Sequence, residues 1–203
     1  WDNVGAAIAQ LSNRRYDFRV PRILILCRSK LGSHMSSPGI RATAMAEVLS
    51  RHVPGAEVTL AGPNEDFAAP IGSRYATLRW HARNVIQLVT RHDIVISSGF
   101  PPHIAPLFPR KKFVVDLFTQ YAMEWMEVGR QHYSGYKQHA WVQRTRAILG
   151  LQLTLADLVL CCNERQRDSY IGMMISLGLI TPAVYDADPS LRRYIDVAPH
   201  GLR

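Results

Sequence analysis

Cysteine is scarce in this 203-residue sequence: Cys27, Cys161 and Cys162 are too few and too unevenly spaced for a disulfide framework or a zinc site. All three fall in strongly apolar stretches, where a thiol packs as a small hydrophobe, and a reducing compartment follows. Long hydrophobic runs are missing too. The longest, residues 23–27 and 155–162, fall far short of the roughly 18–20 that a membrane-spanning helix needs. No secretory signal pattern is present, so the chain is expected to be cytoplasmic. There is no run of five or more like charges and no basic stripe interleaved with aromatics, which argues against nucleic acid as a partner. Neither a GxGxxG fingerprint nor a Gly-Lys-Ser/Thr phosphate loop occurs, which removes the best support for nicotinamide cofactors and for nucleotide hydrolysis.

What is present is ordinary globular material, 47% hydrophobic and 20% charged, in a length suited to one domain. Lys and Arg outnumber Asp and Glu by 24 to 16. The resulting charge of +8 favours polyanionic partners such as anionic lipid head groups or phosphorylated small molecules. The sequence begins at Trp1 and stops at Arg203 just after a Pro-His-Gly turn signal, so both ends are expected to be cut points in something longer.

Periodicity organises the chain. Val4, Ala7, Ile8 and Leu11 at helical spacing mark a short amphipathic helix in an N-terminal extension, residues 1–21, ahead of a domain over 22–203. The run 23–27 reads as a buried strand, followed by a polar loop and a helix opening at Pro38, with Ser36 or Ser37 as cap. The alternation continues with strands at 57–60, 94–97, 113–117, 158–162 and 195–198, and helices at 75–91, 121–155 and 164–177. Strands separated by helix-sized spacers predict a Rossmann-like, three-layer α/β/α domain with a mainly parallel sheet.

Ligands of such sheets bind beyond the carboxyl ends of the strands, which nominates loops 28–39, 98–103, 116–120, 163–167 and 199–201. Gly32 and Gly39 lie near a helix N-terminus, whose N–H groups and dipole favour phosphate; turn geometry alone also accounts for them. His103 follows a strand at the edge of the expected cleft, where it could bond a ligand hydroxyl or act as a base. Asp116, at the end of a buried strand, needs either a structural partner or a ligand. Glu164 suits the positive end of its helix dipole, while Arg165 and Arg167 fit a phosphate or carboxylate, or plain solvation. Asp186 and Asp188 resemble a metal-binding Asp-x-Asp pair, but they precede Pro189 in a turn rather than ending a core strand. They are therefore read as turn or helix-start residues, and no metal is expected.

Four segments combine into a pattern: Arg22-Ile23-Leu24-Ile25-Leu26, Ser36-Ser37-Pro38-Gly39-Ile40-Arg41, Ser98-Gly99-Phe100-Pro101-Pro102-His103 and Asn163-Glu164-Arg165-Gln166-Arg167-Asp168. With Tyr185-Asp186-Ala187-Asp188-Pro189-Ser190 and the closing Val197-Ala198-Pro199-His200-Gly201, they resemble the N-terminal domain of family 4-like (group 1) retaining glycosyltransferases. The likeness covers residues 22–203 and has Pro38-Gly39 where the family commonly has Gly-Gly. It implies the N-terminal half of a GT-B fold, with a C-terminal domain, not included here, holding most of the nucleotide-sugar. It also implies an acceptor that is a saccharide or lipid-linked saccharide, contact with anionic membrane at the inner face of the cell membrane, and no metal or other cofactor in catalysis. Under it, His103 and Asp116 are the candidate catalytic residues, and Gly32, Gly39, Arg41, Glu164 and Arg165 are the candidates for donor diphosphate or acceptor. The alternative is a Rossmann-like binding or interaction module without catalysis.

Overall fold

The computed structural model describes residues 2–13, 20–64, 67–98, 104–119 and 121–199. Seven strands form one sheet: β1 (Arg22–Leu26), β2 (Glu57–Gly62), β3 (Ala76–Arg79), β4 (Ile94–Ser97), β5 (Lys112–Leu117), β6 (Leu158–Cys161) and β7 (Ile195–Val197). Their order is β3-β2-β1-β4-β5-β6-β7, and every neighbouring pair is parallel, so the sheet is wholly rather than mainly parallel. The helices are α1 (Asp2–Asn13), α2 (Ser37–His52), α3 (Val85–Arg91), α4 (Tyr121–His132), α5 (Gly135–Leu155), α6 (Glu164–Ser176) and α7 (Pro182–Ala187). The architecture is a Rossmann-like α/β domain.

Residue alternation sorts the core into two faces. Ile23, Ile25, Leu60, Ile96 and Leu160 point to one, with α1 and α2; Leu24, Leu26, Val95, Val115 and Val159 point to the other, with α3, α5 and α6. Right-handed crossovers explain the division. Connections running from β1 towards β3 lie on the first face, and those running from β4 towards β7 lie on the second. The β4–β7 half of the first face therefore receives no crossover helix, and α1 covers it. Val4, Ile8 and Leu11 are 0–3% exposed in the same cluster as Val114, Leu158 and Ala198, and α1 packs against both α2 and β7. The amphipathic helix expected at the N-terminus is thus part of the domain core.

Three sequence expectations are corrected. Residues 75–91 were expected as one helix, but Ala76–Arg79 is an edge strand paired with β2 and only Val85–Arg91 is helical. Of Leu78, Ala82, Val85, Ile86 and Val89, whose spacing suggested a helix, only Val89 is buried, and Leu78 and Ile86 are 48% and 44% exposed. Asn84 closes the turn between strand and helix, accepting from His81 N at 2.8 Å and donating to Arg79 O at 3.0 Å. The single helix expected over 121–155 is two, α4 and α5, broken after His132; Gly135 has the left-handed φ of +55° that restarts the chain in a new direction. Asp188-Pro189-Ser190 does not start a helix either: α7 ends at Ala187, with Asp188 as its C-cap.

A charged cluster at the opposite, amino-terminal edge ties the strands together and makes stability pH-dependent. Asp93 accepts from the Arg22 backbone N–H and guanidinium at 3.0–3.1 Å, and Lys111 lies 3.7 Å away. Desolvation works to raise the Asp93 pKa, but the Arg22 hydrogen bonds and charge outweigh it and hold the carboxyl below its ordinary value. Beside it, burial pushes the His92 imidazole below its ordinary value, although its Nδ1 lies 2.7 Å from Leu88 O, a bond that favours protonation. Both shifts mean that the unfolded chain binds protons more readily, so stability rises with pH through each window. His92 contributes fully above about pH 6.5 and loses its contribution as pH falls through its folded pKa; Asp93 does the same from about pH 3.9 downward. The urea midpoint is expected to fall between pH 7 and 5, and to fall less in His92→Gln.

Candidate functional site

Strand order reverses direction between β1 and β4, and that switch point is where open parallel sheets form a ligand crevice. A small recess lies there, at the carboxyl edges of β1, β4 and β5, lined by Cys27, Pro38, Met45, Ser97, Asp116 and Phe118 among others. Its rim is the loop from β1 to α2, held in one shape by contacts from outside it. Trp80 Nε1 donates to Cys27 O at 2.6 Å. Asn64 accepts from Leu31 N at 2.9 Å and donates to Leu31 O at 2.8 Å, a two-way amide bond across 33 residues. Gly62 lets the buried Leu31 seat against β2, since a Cβ there would come within 2.6 Å of Leu31 Cδ1.

Both candidate glycines have structural work in this loop. Gly32 takes a φ of +121°, which side-chain-bearing residues rarely adopt. Gly39 is buried inside the first turn of α2, where a Cβ would stand 3.0 Å from Lys30 O and 3.2 Å from Met35 Cβ. The loop therefore lies tightly against the helix start. The N-cap of α2 is Ser36, whose own side chain makes no capping hydrogen bond, and the positive end of the helix dipole lies beside the recess.

Arg41 does not project towards a ligand. It is 2% exposed, and its Nε and Nη2 donate to the two oxygens of Asp116, each at 2.7 Å. Nη1 donates to Ala198 O at 2.8 Å, and the guanidinium lies 5.8 Å from the centre of the Phe118 ring. One buried side chain thus joins α2, the end of β5 and the exit from β7. Desolvation works to lower the Arg41 pKa, and the hydrogen bonds and charge of Asp116 more than offset it, leaving it raised. Of the two answers open for Asp116, partner or ligand, the fold supplies the partner.

The Asn163–Asp168 segment also finds a structural account. Asn163 caps α6 by accepting from Gln166 N at 2.9 Å, while Gln166 Oε1 reaches back to Cys162 N at 2.8 Å, a variant of the capping box. Gln166 Nε2 and Tyr170 Oη then donate to Phe118 O and Thr119 O, pinning the loop after β5. Arg167 is buried and donates to Ile195 O and Ser190 O. Glu164 pairs with Arg192 at 2.6 Å and lies 3.7 Å from Arg167. Arg192, bridging Glu164 and Asp196, has its pKa raised by both. Arg165 is exposed and makes no ion pair among the described residues. Asp188 accepts from Ser190 Oγ and Arg193 N, as a turn residue does.

His103 lies outside the described residues, as do all of 99–103. The three thiols pack as expected, without disulfides: burial pushes Cys27 up, and Cys161 up to about 12, so neither is a ready nucleophile. Among the described residues no helix is long and apolar enough to cross a membrane. The site residues that sequence reasoning missed are Asn64 and Trp80. The loop after β2 satisfies the same carboxyl-edge rule as the loops nominated, so Asn64 was within reach of that rule; Trp80 sat in a segment assigned to a helix. Comparison with known protein families and with curated proteins finds no match for this sequence.

Proposed function

We propose that this chain is the acceptor-side, N-terminal half of a two-domain, GT-B-type retaining glycosyltransferase. The observation that carries the reading is the delivery of the α2 N-terminus to a recess at the sheet's switch point by a loop turned at Gly32 and closed down at Gly39. The positive end of the α2 dipole there suits the diphosphate of a nucleotide-sugar, whose negative charge grows as the sugar leaves. Exposed Arg165, on the same edge of the sheet, suits the same anion. Arg41 and Asp116 act as positioning residues, fixing α2 against β5 and the β7 exit, and His103 stands as the candidate sugar-facing group. The basic balance fits phosphorylated donors and an anionic membrane surface bearing a lipid-linked acceptor. Nucleotide specificity then belongs to a C-terminal Rossmann domain, and no metal or other cofactor enters the transfer.

One observation favours the alternative of a binding module without catalysis: the carboxylate nearest the recess, Asp116, is already matched by Arg41. Turnover separates the two. Residues 1–203 alone are expected to show no multiple turnover of sugar nucleotides, whereas the chain joined to its C-terminal Rossmann domain does. Robust turnover by the isolated chain, or none by the joined protein, contradicts the reading. In the joined protein His103→Ala is expected to lower transfer with an unchanged melting temperature.

A further inference from the structure

We infer that the chain holds a second ligand pocket, built for a small organic anion with a flat apolar body, between the α4–α5 hairpin and the exit of β1. The pocket has a volume of about 260 Å³, just under the roughly 300–1,000 Å³ of drug-sized sites and so suited to a small ligand, and its lining includes Arg28, Trp125, Trp141, Arg144, Ile148 and Gln152. It shares no lining residue with the recess at the switch point, which lies on the α2 side of the sheet. The inference therefore goes beyond the glycosyl-transfer reading and stands or falls separately from it.

The walls are set by the hairpin. Trp125 and Trp141 stack with centroids 5.3 Å apart at 38°, and Tyr133 backs Trp141 at 5.2 Å. Trp141 Nε1 donates to Trp125 O at 3.1 Å, so that indole's polar atom is satisfied within the protein. Thr145 Oγ1 is likewise turned inward, onto Trp141 O at 3.0 Å. Gly129 permits the closeness, because a Cβ there would meet Trp141 Cδ1 at 2.5 Å. The charge comes from two separate elements: Arg28 leaves the end of β1 and Arg144 sits on α5, both exposed and neither in an ion pair among the described residues. Solvated surface arginines need no common target, but these two line one pocket with the indoles. Guanidiniums supply planar, bidentate donors for a phosphate or carboxylate, and indole faces take a flat apolar body, which fixes the ligand class.

Calorimetric titration of the full chain tests this with 1-naphthyl phosphate and 1-naphthoate as probes, against 1-naphthol and inorganic phosphate as the separated halves. One aryl anion or both should bind one-to-one and at least tenfold more tightly than either half. The double variant Arg28→Gln/Arg144→Gln should weaken that binding tenfold or more with an unchanged melting temperature, since both side chains are exposed and neither makes a bond among the described residues. Binding of naphthol as tight as that of the aryl anions, binding untouched by the double variant, or no binding of either aryl anion at millimolar concentration would each overturn the assignment.

Discussion

Arg41→Ala is expected to lower the melting temperature by roughly 6–20 °C. Truncating one partner of a buried ion pair leaves an uncompensated charge and costs about 3–5 kcal/mol, and a domain of this length shifts by about 2–4 °C per kcal/mol. The case is strong here because the guanidinium is 2% exposed and meets both oxygens of an Asp116 that is itself 6% exposed. Ala198 O would lose its donor as well. Replacing both charges by apolar groups of similar size, in Arg41→Met/Asp116→Leu, should recover much of the loss, which marks the pair as a fixed joint rather than a source of net stability. A melting temperature within 2 °C of the parent for Arg41→Ala would place the side chain in solvent and return it to the list of ligand contacts.

Deleting residues 1–21 is expected to do still more. Val4, Ile8 and Leu11 are almost wholly buried against the first face of the sheet, and burying three such side chains is worth roughly 4.5–9 kcal/mol. That is comparable with the whole stability of an ordinary domain, about 5–15 kcal/mol. The truncated chain would also expose the part of the sheet face against which α1 packs, in the cluster of Val114, Leu158 and Ala198. The measurement is thermal unfolding by circular dichroism: the account expects loss of the cooperative transition and aggregation. A cooperative transition within a few degrees of the parent would show that α1 is dispensable. Ile8→Ala gives a milder version, at a cost of about 2–5 kcal/mol.

The central strands were legible because a parallel strand buried on both faces is a continuous apolar run, as in Ile23-Leu24-Ile25-Leu26 and Leu158-Val159-Leu160-Cys161. β3 was not, because an edge strand with Leu78 half exposed carries no such run, and its spacing to Ala82 and Val85 imitates a helix. What forms β3 is the ladder with Thr59, Leu60 and Ala61, a pairing invisible in local sequence. The break between α4 and α5 was hidden for a different reason: apolar spacing continues on either side of it, and a single glycine inside a helical pattern is tolerated.

Site residues divide the same way. Gly32 and Gly39 were nominated because the rule about carboxyl edges is local to one loop, and their turn and close packing are likewise local. Arg41 was misjudged because its partner lies 75 residues away, and nothing in its own helix distinguishes a buried arginine from a solvated one. The loop 163–167 was nominated for a ligand, yet the spacing of three between Asn163 and Gln166 is that of a cap. Arg192 gave no signal at all before the fold brought it to Glu164 and Asp196.

The claim that joins these features is that the α2 N-terminus is a diphosphate site at the switch point of the sheet. A nitrogen-15 NMR titration of the chain with uridine and guanosine diphosphate sugars tests it most directly. The account predicts saturable shifts concentrated in the amides of residues 31–40, with lesser ones at Ser97 and Ser98. Shifts absent from residues 31–40, or gathered instead at the amino-terminal edge around His92 and Asp93, would contradict it.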